Sequence, residues 1–180
     1  MGKIDDLLDK QEIMELSYRY SRACDRLDAD LMAAVYWPDG TDDHGAFKGT
    51  APDYVDWVMD FVGQWESTHH DNTNILIDLD GDVAFGEVHW TGFYRYYING
   101  VLHDHLAVGR YLDRYEKRDG NNGSEWRIKH RTCLSDWSRI EPANEDMHKA
   151  SLLNTLRGQR GQADHLYNLR DIAILEDAAE

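Results

Sequence analysis

Residues 83–98, VAFGEVHWTGFYRYYI, the dipeptide Asn99-Gly100 and residues 101–115, VLHDHLAVGRYLDRY, decide the fold. Asn-Gly between two runs rich in aromatic and β-branched residues is a strong hairpin signal. The first run puts Ala84, Val88, Trp90, Tyr94, Tyr96 and Ile98 on one face. Its other face mixes Val83, Phe85 and Phe93 with Glu87, His89 and Arg95. Stretch 106–112 is apolar on both faces, Leu106, Val108 and Leu112 against Ala107, Gly109 and Tyr111. One face is therefore expected to line a core or cavity and the other to meet another subunit.

Upstream, residues 68–79 read as a strand ending in a tight turn at Leu79-Asp-Gly-Asp82. Downstream, Lys117 to Gly123 reads as a turn and Glu125 to Trp137 as a last strand. The first third is helical. Ile13, Leu16, Tyr20 and Ala23 recur at helical spacing within residues 4–24. Asp28 can cap a short helix from Ala29 to Tyr36 that stops before Pro38-Asp-Gly40. Thr41 to Phe47 reads as a short strand, and Thr50 caps a third helix with Pro52 in its first turn. Three helices followed by a four-stranded antiparallel meander is an α+β layout in which one curved sheet wraps around helices.

The chain has 180 residues, 42% of them hydrophobic, with 10 Tyr and 6 Trp, which suits one globular domain. A formal charge of −15 disfavours nucleic acid as a partner. No apolar run approaches the roughly 20 residues that cross a bilayer, and the N-terminus lacks a signal-peptide pattern. A cytoplasmic protein without membrane attachment is the expectation. Cys24 and Cys133 have no CxxC spacing and read as reduced, small apolar residues. No GxGxxG, Walker loop or GxSxG elbow supports a nucleotide cofactor or a serine hydrolase. His103-Asp104-His105 could chelate a metal at i and i+2, but it directly follows the Asn99-Gly100 turn, where exposed polar residues are expected; no metal site is assigned.

Several polar residues invite chemistry, each with an ordinary alternative. Asp25 ends the first helix among Arg22, Arg26 and Asp28, where a solvated carboxylate would be unremarkable. His70 starts a strand with Asn72 and Asn74 at period-two spacing, a row that suits either a cavity or an exposed edge. If the two meet, the carboxylate orients the imidazole and stabilises its protonated form, which makes a general base. Arg131, on a strand face with Cys133, Ser135 and Trp137, could anchor an anionic group or sit at the surface. Tyr20 lies on the apolar helix stripe and His44 next to Gly45, at a pocket mouth or in solvent.

In order along the chain, Gln11-Glu-Ile through Arg22-Ala-Cys-Asp25, Pro38-Asp-Gly, Asp43-His-Gly-Ala-Phe-Lys-Gly49 and His69-His70 with Asn74 carry a resemblance. Asp80-Gly-Asp-Val-Ala, Gly109-Arg-Tyr-Leu-Asp-Arg-Tyr and Trp126-Arg-Ile continue it. The set resembles the SnoaL-like branch of the nuclear transport factor 2-like superfamily over residues 5–138. That resemblance implies a cone-shaped α+β barrel of cystatin-like type, with helices and a curved antiparallel sheet enclosing a deep pocket. The pattern looks most similar to dehydratases and eliminating lyases such as scytalone dehydratase, bile acid 7α-dehydratase and hexachlorocyclohexane dehydrochlorinase. Asp25 and His70 fall where that group carries its Asp–His dyad, Arg131 at a pocket arginine, and Tyr20 at a tyrosine of the bile acid enzyme. His44, Asn74, Trp90, Tyr94 and Trp137 are then expected to line the pocket.

The resulting expectation is a cofactor-independent lyase, a dehydratase acting on a hydroxylated cyclic or aromatic molecule. The alternatives are an isomerase or cyclase of a polyketide- or steroid-like ketone with the same dyad, and a non-catalytic ligand-binding or assembly subunit. Residues 1–138 would form the domain. Residues 139–180 would form an extension, with a helix near 144–157, packing on the domain or a neighbour. A homo-oligomer is expected, trimer first and dimer second.

Overall fold

A computed structural model describes residues 2–120, 123–144 and 156–171. Helix α1 (Lys3–Arg26) is followed by α2 (Ala29–Ala34), β1 (Tyr36–Asp43), β2 (Lys48–Thr50) and α3 (Ala51–Gly63). Four long strands then run as β3 (Ser67–Asp80), β4 (Val83–Ile98), β5 (Val101–Gly120) and β6 (Gly123–Pro142). Two short 3₁₀ turns, Gly161–Ala163 and His165–Asp171, come last among the described residues.

The long hairpin forms as its sequence dictates. Asn99 and Gly100 both have positive φ, and Val101 pairs with Ile98 immediately beyond them. β3, β4, β5 and β6 make the antiparallel meander. The sheet does not end there, however: its order is β2-β1-β6-β5-β4-β3, and β1 runs parallel to β6. The sheet is therefore mixed and open, where the sequence reading gave an antiparallel one. The helix expected to reach Tyr36 stops at Ala34, and β1 passes through Pro38-Asp39-Gly40. Proline is tolerated because the β1–β6 register slips between Tyr36 and Thr41, so Pro38 owes no ladder hydrogen bond. Gly40 is required at that slip, since a Cβ there would meet the Trp37 carbonyl oxygen at 2.8 Å. The strand expected from Thr41 to Phe47 ends at Asp43, and Gly45 (φ +72°) turns the chain into β2.

Lys117 to Gly120, expected to turn, continue β5. Their charges are satisfied in place: Lys117 bonds Asp9 at 2.7 Å and Arg118 bonds Asp39 at 2.8 Å. β6 likewise runs past the expected domain boundary, pairing as far as Pro142 with His103. Residues 145–155, most of the helix expected at 144–157, lie outside the described residues.

The core lies between the concave face of the sheet and α1 and α3. Ile13, Leu16, Tyr20, Ala23 and Cys24 give α1 its buried stripe, and Tyr54, Val55, Val58 and Val62 give α3 its own. β4 and β5 contribute Ala84, Val88, Trp90, Ala107, Tyr111 and Tyr115. Asp9 pins the start of α1 to the sheet by accepting from the Trp126 indole at 2.9 Å as well as from Lys117.

Candidate active site

α1 and β3 meet at the site. Asn72 on β3 donates to the Ser17 carbonyl at 3.0 Å and to Ser21 Oγ at 2.7 Å, which fixes the helix against the strand. α1 ends at Leu27 in the left-handed conformation (φ 53°), leaving Asp25 in its last turn with its side chain turned inward. A carboxylate there faces the negative end of the helix dipole and is desolvated, and both effects oppose its charge. His70 offsets them. Its Nδ1 lies 2.7 Å from Asp25 Oδ1, and its backbone N–H donates to Oδ2 at 2.9 Å. Burial alone would raise the Asp25 carboxyl; the hydrogen bonds and charge of His70 hold it below its ordinary value.

An ionised carboxylate only accepts, so the proton between the two residues sits on His70 Nδ1. Nε2 then carries the lone pair, and the Tyr94 hydroxyl lies 3.2 Å from it. Such a pair can take a proton from a carbon acid at Nε2 while Asp25 stabilises the imidazolium.

Deeper in the core a second polar network is built around Arg131. It is completely buried, 0% exposed, and binds Asp113 in bidentate fashion, Nε to Oδ1 at 2.8 Å and Nη2 to Oδ2 at 2.7 Å. The Tyr111 and Tyr20 rings lie against its guanidinium at 3.9 and 4.3 Å. Nη1 has no hydrogen-bond partner. Asp42, opposite Arg131 on β1, accepts from Tyr36 at 2.7 Å and makes a short hydrogen bond with His44 Nδ1. His44 Nε2 faces the Tyr54 hydroxyl at 3.2 Å and the Tyr20 hydroxyl at 3.3 Å, and these two hydroxyls bond each other. Burial pushes both tyrosine hydroxyls far above their ordinary value, so they act as donors.

The structure thus brings together Asp25, His70 and Tyr94 where α1 meets the sheet, and Tyr20, His44 and Arg131 in the deeper network. Trp90 is buried beside Tyr111, their rings 5.8 Å apart. Two expected pocket residues lie elsewhere. Asn74 is exposed, because the β3–β4 register slips between Asn72 and Ile75 and ends the row begun by His70 and Asn72. Trp137 is 52% exposed. A slip at Asp136 pairs Ser135 with Gly109 but Trp137 with Val108, which turns the indole to the outer face, away from Arg131. Arg131 spends Nε and Nη2 on Asp113, and the Tyr20 hydroxyl bonds Tyr54 and faces His44.

Asp42, Tyr54 and Asp113 were not singled out from sequence. Asp113 carried a signal: it follows Ala107, Gly109 and Tyr111 at period two on the inward face of β5, where a carboxylate needs a cation. His103 turns Nδ1 to the Val101 carbonyl at 2.8 Å, whereas His105 packs on Tyr94. Among the described residues no group of three or more His, Cys, Asp or Glu is placed to hold a metal ion.

A groove of about 460 Å³ reaches Asp25 and His70 between α1 and residues Asp164 and Leu166. Arg160 fastens that late segment by donating to the Val62 and Trp65 carbonyls at 2.7 and 2.8 Å, just where α3 ends. Tyr167 adds a hydrogen bond to Asp28 at 2.9 Å.

Helices packed in a curved sheet are the fold of a class of small α+β proteins within the nuclear transport factor 2-like superfamily. The chain belongs to the SnoaL-like domain family, whose model matches residues 5–132. It is similar to the uncharacterized protein Rv2910c of Mycobacterium tuberculosis, 29% identical over 91 residues, 49% of this chain and 62% of that protein. The chain thus spans less than two thirds of the length of the curated relatives it matches. Among solved structures it is similar to LinA, with TM-score 0.69, 19% identity and coverage of 80% and 95% of the two chains. A protein from Novosphingobium aromaticivorans DSM 12444 provisionally named scytalone dehydratase gives TM-score 0.66 at 23% identity, covering 79% and 96%. At these identities the likeness is one of fold.

Two outcomes test this geometry. Asp113→Ala strands a buried guanidinium and should cost about 3–5 kcal/mol in denaturant unfolding, whereas Asp113→Leu/Arg131→Met should recover much of the loss. Because the folded-state pKa of Asp25 is depressed, its contribution to stability is present above the unfolded value of about 3.9 and lost as pH falls through the lower folded value. Asp25→Asn should therefore flatten the acid limb of stability against pH; an unchanged limb would show that His70 does not hold the carboxylate.

Proposed function

We propose that the protein is a cofactor-independent lyase of dehydratase type, acting on a hydroxylated cyclic or aromatic small molecule. His70 takes a proton from carbon next to an activating group, Asp25 orients its ring, and the departing hydroxyl leaves as water. The observation that carries this reading is the Asp25–His70 pair, with both carboxylate oxygens spent on one histidine and Nε2 turned away from them. Proton removal and loss of hydroxide transfer no electrons to a carrier, so the chemistry needs no redox group. Trp65 packs on Tyr94 beside His70, an aromatic setting suited to a ring. The provisional name of the Novosphingobium protein and the dehydrochlorinase name of LinA type 2 agree with an eliminating chemistry.

Isomerisation of a cyclic ketone begins with the same proton transfer and is the second reading. The same Asp25–His70 geometry supports it, since only the fate of the electron pair left on carbon separates the two reactions. Asp25, His70, Arg131 and Tyr20 remain the proposed working residues, the last two acting through the deeper network. His70→Ala should reduce turnover of a cyclic β-hydroxyketone at least 100-fold, and Asp25→Asn nearly as much, with folding retained by circular dichroism. Loss of 18 Da in the product, on the order of one water, identifies elimination; conserved mass identifies isomerisation. Full activity in His70→Ala would leave the dyad without a catalytic role.

A homo-oligomer, trimer first, completes the proposal. Leu76, Phe85, Phe93 and Leu112 stand exposed on the convex face of the sheet, an apolar patch of the kind that a second copy covers. Sedimentation at micromolar concentration should give a trimer; a monomer would contradict it.

A further inference from the structure

The atom that Asp25 leaves for chemistry, His70 Nε2, already has a companion. β4 pairs with β3 so that Gly92 lies opposite His70 and Tyr94 opposite Thr68. The Tyr94 ring leans back over Gly92, and a Cβ built on Gly92 would fall onto the Tyr94 hydroxyl. Gly92 does not have positive φ, so its backbone makes no demand for glycine; the demand is for the space that the phenol occupies. The ring is held on three sides: Trp65 at 4.8 Å, His105 at 5.4 Å and the His70 imidazole, edge-on, at 5.3 Å. This fixes the hydroxyl 3.2 Å from Nε2. Burial raises the Tyr94 hydroxyl far above its ordinary value, so it rests as a proton donor beside an acceptor.

We propose that Tyr94 is a catalytic residue, the general acid that gives its proton to the departing hydroxyl while His70 takes the proton from carbon. The inference rests on the lyase reading and narrows its substrate to a cyclic β-hydroxycarbonyl compound whose two leaving groups, proton and hydroxyl, lie on one face of the ring. His70 Nε2 removes the α-hydrogen as a proton, and the electron pair of the C–H bond forms the new double bond. The C–O bond breaks, and its pair leaves on the oxygen, which takes the Tyr94 proton and departs as water. Tyr94 phenolate and His70 imidazolium, adjacent and of opposite charge, then exchange the proton on Nε2 and return to the resting pair. Every proton and electron is accounted for without a co-reactant.

The alternative is that Tyr94 only packs the imidazole ring. The probe is 3-hydroxycyclohexanone in D2O, with enone formation followed by ultraviolet absorbance and α-deuterium incorporation by NMR. Exchange reports proton abstraction alone; enone formation also needs the acid. In Tyr94→Phe the ratio of elimination to exchange should fall about 100-fold, the lower end of what a general acid contributes. Gly92→Ala keeps the phenol but displaces it from Nε2 and should shift the ratio in the same direction. An unchanged ratio in both variants, with rates equal to the parent or equally reduced, overturns the acid role and leaves His70 as base. A parent chain that neither exchanges nor eliminates, while folded, overturns the lyase reading itself and this inference with it.

Discussion

The last turn of α1 must end with a carboxylate in the protein interior, against its own helix dipole, and only β3 can make that tolerable. His70 does so with one side-chain and one backbone donor, at 2.7 and 2.9 Å. The contact works in both directions. It keeps Asp25 ionised where burial and the dipole would otherwise protonate it, and it fixes the imidazole tautomer so that Nε2 is the basic atom. Removing either partner leaves the other a buried polar group with too few bonds. The α1–β3 junction, the ring orientation and the proposed chemistry all depend on this one contact.

Around it the protein keeps its polar atoms in two separate networks. The deeper one sets one guanidinium, Arg131, between two carboxylates, Asp113 on β5 and Asp42 on β1, so that three adjacent strands are joined through charges with almost no access to water. Arg131 answers Asp113, while Asp42 is satisfied by Tyr36 and His44. Tyr20 joins the two parts, with its ring on the guanidinium and its hydroxyl beside His44. Such an arrangement favours a single register of β1 on β6, since a one-residue slip would turn Asp42 to the opposite face of the sheet, away from Arg131.

Elements set by local backbone chemistry were legible from the sequence. Asn99-Gly100 fixes its hairpin, and Thr50 with Pro52 fixes the start of α3, because the requirement lies within a few residues. Asp25 and His70 were legible as a pair, helped by a resemblance rather than by spacing alone. Asn74 and Trp137 were misplaced because period-two reasoning assumes an unbroken strand, and each lies just past a register slip. Pro38 was read as a stop for the same reason in reverse: the slip in β1 lets the strand pass it. Asp42 and Asp113 gained meaning only with the strand order, since the parallel β1–β6 pairing that sets Asp42 opposite Arg131 crosses 89 positions of sequence. That pairing is a tertiary fact, and no local pattern near Asp42 announces it.

The central claim is that Asp25 presets His70 with its proton on Nδ1 and its lone pair on Nε2. Nitrogen-15 NMR of the His70 ring in the folded protein tests it directly. The expected result is a protonated Nδ1, an unprotonated Nε2 shifted by an accepted hydrogen bond, and loss of that preference in Asp25→Asn. A ring protonated at Nε2 with a bare Nδ1, or one indifferent to the loss of Asp25, would contradict the account.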